Sequence, residues 1–146
     1  MIVLLPAISM FLYLFISNIN RTPKVGIWSI HKINKNYVSM NVVEDTISNN
    51  SATIMLTNLT NKEYRYGNEY TVEYYQNGMW HFLIPINEVG WLLNDYGLDP
   101  NTTVKIDFDW SNYYGKLPKG KYRIIQKFSL NESDNDFYVA AEFNIK

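Results

Sequence analysis

From Tyr37 onward the chain is built of short runs in which apolar and polar residues alternate, each run closed by turn-forming residues. Val38, Met40 and Val42 alternate with Ser39 and Asn41, and Ala52, Ile54 and Leu56 alternate with Thr53, Met55 and Thr57. Successive side chains of a strand point to opposite faces, so this period of two predicts strands with one buried face. Between the two runs the Asn49-Asn50-Ser51 cluster supplies a loop.

A third strand is predicted where Tyr70, Val72 and Tyr74 alternate with Thr71, Glu73 and Tyr75. Asn77-Gly78 follows, and a two-residue Asn-Gly loop is a strong hairpin signal because both residues tolerate positive φ. Trp80, Phe82 and Ile84 form the oily positions of the return strand, which stops at Pro85. The longer connection from 85 to 101 is expected to hold one short helical turn around 88–94, with Trp91 and Leu92 toward the core. Val104, Ile106 and Phe108 then alternate with Lys105, Asp107 and Asp109. Tyr122, Ile124, Gln126 and Phe128 alternate with Arg123, Ile125 and Lys127. After a polar loop, Phe137, Val139, Ala141, Phe143 and Ile145 share the last oily face. About seven strands at this spacing predict an all-β, antiparallel, immunoglobulin-like β-sandwich over residues 37–146.

The start of the chain is different. Residues 1–16, MIVLLPAISMFLYLFI, carry no charged side chain and show no polar stripe at the helical period. Extended to Ile19 as a helix, the run approaches the thickness of a bilayer's hydrocarbon layer. A hydrophobic helix serving as membrane anchor or signal segment is therefore expected over 1–19. No basic stretch precedes it, and Ser17-Asn18-Ile19-Asn20 matches a small-residue cleavage site poorly, which favours an uncleaved anchor over a cleaved signal. Arg21 and Lys24 after the span would place the domain in the cytoplasm by the positive-inside rule, whereas a β-rich domain of this kind is usually exported. The expectation adopted is a membrane-anchored or secreted protein with its domain on the extracytoplasmic side, joined by a tether over 20–36.

Composition narrows the function. Thirteen basic against fourteen acidic residues give a net charge of −1, which offers no bulk attraction to nucleic acid. The absence of cysteine removes disulfides, thiolate metal sites and a cysteine nucleophile. Twelve tyrosines and four tryptophans suit strands and leave aromatic surface to be explained.

One run is diagnostic of architecture. Trp110, Tyr114, Gly115, Lys116, Leu117, Gly120, Tyr122, Arg123, Ile124 and Lys127, followed by Tyr138, Ala140, Ala141, Glu142 and Phe143, resemble the bacterial Ig-like domains of exported or membrane-tethered Gram-positive proteins. Trp110, Tyr114, Gly115, Leu117, Gly120 and Tyr122 are the fold signature within that run. The resemblance implies a non-catalytic surface module without cofactor, whose partner is an unknown protein or a cell-wall polymer. A tyrosine opening the sixth strand is also placed to return its hydroxyl to the preceding loop, as in a tyrosine corner.

Candidate chemistry is sparse. His31, in the expected tether, and His81, beside Trp80, lack a nucleophile or acid nearby in sequence. Asp107 and Asp109 share a strand face and read as solvated charges, and Asp134-Asn135-Asp136 lacks the rest of a calcium loop. No catalytic, cofactor or metal residue is assigned. The basic run Lys116, Lys119, Lys121, Arg123 and Lys127 reads as the wet face of a strand and its loop. Aromatics off the core face, Tyr64, Tyr66, Tyr75 and Tyr113, are the candidate ligand platform, and they support an alternative function as a small carbohydrate-binding module.

Overall fold

The structure, a computed structural model, describes residues 21–130 and 135–146. The expected helix over 1–19 and Asp134 lie outside the described residues. The strands are β1 (Lys24–Trp28), β2 (Val38–Val42), β3 (Ser51–Asn58), β4 (Tyr64–Gln76), β5 (Met79–Ile84), β6 (Tyr96–Leu98), β7 (Thr103–Asp109), β8 (Gly120–Ser129) and β9 (Phe137–Ile145). A 3-10 turn at Glu44–Thr46 and a single-turn helix α1 (Ser111–Tyr114) complete the regular structure described.

Two antiparallel sheets form a sandwich. The larger runs β1-β5-β4-β8-β9, with β6 joining the first part of β4, and the smaller runs β2-β3-β7. The Asn-Gly hairpin forms as expected: Asn77 and Gly78 both have positive φ, and Tyr75 lies opposite Trp80. Val38, Ile54, Leu56 and Phe108 from the small sheet meet Val72, Tyr122, Ile124 and Phe143 from the large one, all of them buried. Each large apolar side chain so buried contributes about 1.5 to 3 kcal/mol against the entropy of ordering the chain.

The signature run makes the corner between the sheets. Trp110 is fully buried, packs on Phe143 with ring centroids 5.4 Å apart and donates its indole N–H to the Asn49 carbonyl at 3.0 Å. The Tyr114 hydroxyl accepts the Val72 N–H at 3.3 Å. Gly115 has φ of +62°, and a Cβ there would strike the Arg21 carbonyl oxygen. Leu117 is buried, and Gly120 lets the Tyr74 ring approach to 2.6 Å from where a Cβ would stand. Tyr122 donates its hydroxyl to the Pro118 carbonyl at 2.7 Å, the tyrosine corner expected from the sequence.

Four expectations are corrected. The stretch read as a tether holds β1, which pairs with β5, and its continuation crosses the outer face of the large sheet to the far edge, where Ile33 bridges Tyr138 in β9. Trp80, Phe82 and Ile84 lie on that outer face rather than toward the core. The hairpin register places Phe82 opposite Glu73, so Leu83 is the core residue of β5. No helical turn forms around 88–94; Trp91 packs against the core while Leu92 is exposed, and the helical turn lies instead at α1. Arg123, counted in a wet basic face, is buried.

Candidate aromatic cleft and outer-face charge cluster

An aromatic-lined opening in the described surface follows from an interruption in β4. Pairing between β4 and β8 shifts register between Tyr66 and Tyr70, so Gly67, Asn68 and Glu69 leave the ladder. Bulges of this kind redirect a strand and recur beside binding sites. Across the gap stands β7, the edge of the smaller sheet. The loop between β5 and β6 forms the remaining wall, leaving a cleft of about 610 Å³.

That loop is pinned. The Ile86 N–H donates to the Tyr113 carbonyl at 2.7 Å, the Asn87 amide donates to the Asn112 carbonyl at 2.7 Å, and the Tyr113 hydroxyl donates to the Gly90 carbonyl at 2.9 Å. Trp91 is thereby held 4.8 Å from the Tyr113 ring and 4.9 Å from the Tyr70 ring, centroid to centroid. Tyr66 and Tyr96 form a second ring pair at 5.5 Å. Burial raises the pKa of the Tyr66 hydroxyl, with Tyr96 adding to the shift, and burial raises Tyr70 further. Both hydroxyls are therefore protonated around neutral pH, and Tyr70 donates to the Asp109 carbonyl at 3.2 Å.

The polar part of the lining comes from Asn68, Lys105, Asp107, Asp109 and Gln126. Gln126 is buried and donates its amide N–H to the Gly67 carbonyl at 2.7 Å. Asp107 accepts the Thr53 hydroxyl at 2.6 Å, and Asp109 accepts both the N–H and the hydroxyl of Ser111, starting α1.

Of the four platform tyrosines, the fold brings Tyr66 and Tyr113 into this cleft. Tyr64 is buried between Tyr37 and Phe137, which removes it from any ligand surface. Tyr75 lies on the outer face against Trp80, with the Lys121 ammonium over its ring at 4.8 Å. Sequence reasoning missed Trp91, Tyr96 and Gln126 as lining residues. Gln126 carried a readable signal, a polar amide on an otherwise oily strand face.

A second cluster sits under the chain crossing the outer face. Glu73 is fully buried and binds Arg123 through Oε2, at 2.7 Å to Nε and 2.6 Å to Nη2. Its Oε1 accepts the Ser29 hydroxyl at 2.5 Å and meets His31 Nδ1 at 2.8 Å. Arg123 stacks over the Trp80 ring at 4.5 Å, and the His31 ring packs on Phe82 and Tyr138. Serine, histidine and glutamate thus converge, but the Ser29 hydroxyl is bonded to the carboxylate rather than to the imidazole. A nucleophile needs the imidazole at its own hydroxyl to lose a proton, so the cluster is built as a fastening. His81 faces the Gly26 carbonyl at 3.1 Å. Among the described residues no group of three or more His, Cys, Asp or Glu could hold a metal ion, and no helix is long and apolar enough to cross a membrane.

No curated protein matches this chain. A family model described as a bacterial Ig-like domain matches residues 34–144, the greater part of the sequence, and the chain belongs to that family.

Proposed function

We propose that this is a non-catalytic contact domain, held on the extracytoplasmic side of a membrane by its N-terminal hydrophobic segment, that engages a protein partner through the edge of β1. Family membership supports a structural or protein-contact role, and the uncharged run 1–16 supports the tether. The observation that carries the contact is the edge itself. β1 ends the larger sheet, and Val25, Ile27 and Trp28 are 42%, 69% and 62% exposed, with Ile30 at 76% just beyond. Lys24 is the one charge on that strand. An open edge presents unpaired backbone donors and acceptors, and an extended segment of a partner satisfies them while covering the apolar side chains.

The test is a photo-crosslinking residue at Ile27, with one at Lys62 on the polar loop as control, in intact cells. A discrete protein adduct at position 27, absent at 62 and lost when Trp28→Lys is added, is the expected result; identical patterns at both positions reject the contact. Protease access to the domain on intact cells tests its side of the membrane. A second reading, a small carbohydrate-binding module, is favoured by a separate observation, the convergence of ring faces and polar groups in the cleft.

A further inference from the structure

We infer that the cleft between β4 and β7 binds an uncharged glycan strand, with Trp91 and Tyr96 as its stacking faces and Gln126 as the acceptor on its floor. This rests on the carbohydrate reading and specifies its site and ligand class.

The ring faces come first. A pyranose has an apolar C–H face and a rim of hydroxyls, so it is recognised by flat aromatic surface combined with a few fixed polar groups. The cleft has both. Trp91 and Tyr96 stand on opposite sides of the bulge, each with a ring neighbour behind it, Tyr113 and Tyr66. A volume of about 610 Å³ falls within the range of sites that enclose small ligands.

Gln126 is the second, independent observation. It lines the cleft, is only 2% exposed, and its amide nitrogen is engaged with Gly67, while its Oε1 has no hydrogen-bond partner among the described residues. Yet no buried side-chain oxygen in the described structure is both sealed from solvent and unpartnered. The Gln126 oxygen therefore opens to the cleft. An acceptor so placed is nearly desolvated already and gains from a ligand donor such as a sugar hydroxyl or acetamido N–H.

Charge decides the class of glycan. Asp107 and Asp109 line the cleft with Lys105, giving two carboxylates against one ammonium. The Asp107 and Asp109 side chains alternate with the core-facing Ile106 and Phe108, and the Asp107 carboxylate is bonded to Thr53, so both carboxylates stand at the rim on the solvent side of β7. The same carboxylates repel a polyphosphate or polyuronate backbone. The ligand that fits is neutral.

The experiment uses the full chain, kept in a detergent without a sugar headgroup, and titrates cellotetraose, chitotetraose and a polyanionic wall teichoic acid while following tryptophan fluorescence and heat. Saturable binding of a neutral tetraose, weakened at least tenfold by Tyr96→Ala and by Trp91→Ala but unchanged by Tyr75→Ala on the outer face, is expected. Thermal melts of the variants show whether they fold, and Tyr96→Phe, which keeps the ring, retains binding. Teichoic acid binding without neutral glycan binding overturns this inference while leaving a carbohydrate module standing. So does neutral glycan binding that the cleft variants leave intact. Failure of all three probes overturns both.

Discussion

Tyr122 shows what one hydroxyl does in this fold. Its bond to the Pro118 carbonyl closes the corner loop onto the strand it opens. In Tyr122→Phe that carbonyl loses its donor in a largely buried place, an expected loss of about 1 to 2 kcal/mol, read as a lower urea midpoint at unchanged slope. Burial, with the neighbouring Tyr74 hydroxyl, pushes Tyr122 up to about 12 from an ordinary 10.0. An unfolded chain thus gives up this proton before the folded one does. The stability linked to it is complete below pH 10 and is lost as pH rises toward 12. Buried Tyr70 and Tyr114 are shifted upward as well and act in the same direction. The urea midpoint is expected to fall across that window, and to fall less in Tyr122→Phe than in the parent. This corner was legible because Gly115, Pro118 and Gly120 mark the loop in the sequence itself. The aromatic platform was legible only in part. Alternation shows which tyrosines leave the core face, but it does not show that Phe137 and Tyr37 close over Tyr64, or that a loop brings Trp91 beside Tyr113.

Among the elements, the pairing of β4 with β8 marks where pattern and packing part. A period of two assigned Glu73 and Arg123 to solvent, as it would for any one-sided sheet. The structure buries both, because residues 29–33 lie across them with Ser29 and His31 turned inward and Ile30 outward. That strip is polar inside and apolar outside, the reverse of the pattern that signals a buried strand, so its sequence read as tether. Two opposite charges at matching outward positions of adjacent strands were the one available clue. Removing one member of a buried ion pair strands the other, so Glu73→Ala is expected to cost about 3 to 5 kcal/mol. Replacing Glu73 and Arg123 together by methionine recovers much of that loss, since neither charge is then left buried alone. Urea melts of the single and double variants separate the two cases. Equal loss in both would mean that the site depends on the ionic network itself rather than on the absence of an unpaired charge.

At the scale of the molecule, the family match and the folded unit start at different places. The match begins at residue 34, whereas β1, Ser29 and His31 precede it and are bonded to β5 and Glu73. Arg21 reaches the signature corner itself, its carbonyl accepting the Lys116 N–H at 3.2 Å beside Gly115. The N-terminal strip therefore ties the outer face of the large sheet to the loop that joins the two sheets. Cutting the chain before residue 34 removes two hydrogen bonds to a buried carboxylate, each worth about 1.5 to 3 kcal/mol. A 34–146 fragment is accordingly expected to be less stable than 21–146 by about 3 to 6 kcal/mol. Matching melts for the two fragments would show that the strip lies on the sandwich without supporting it. A stability gap in favour of 21–146 would put the physical boundary of this domain a full strand ahead of its recognisable sequence.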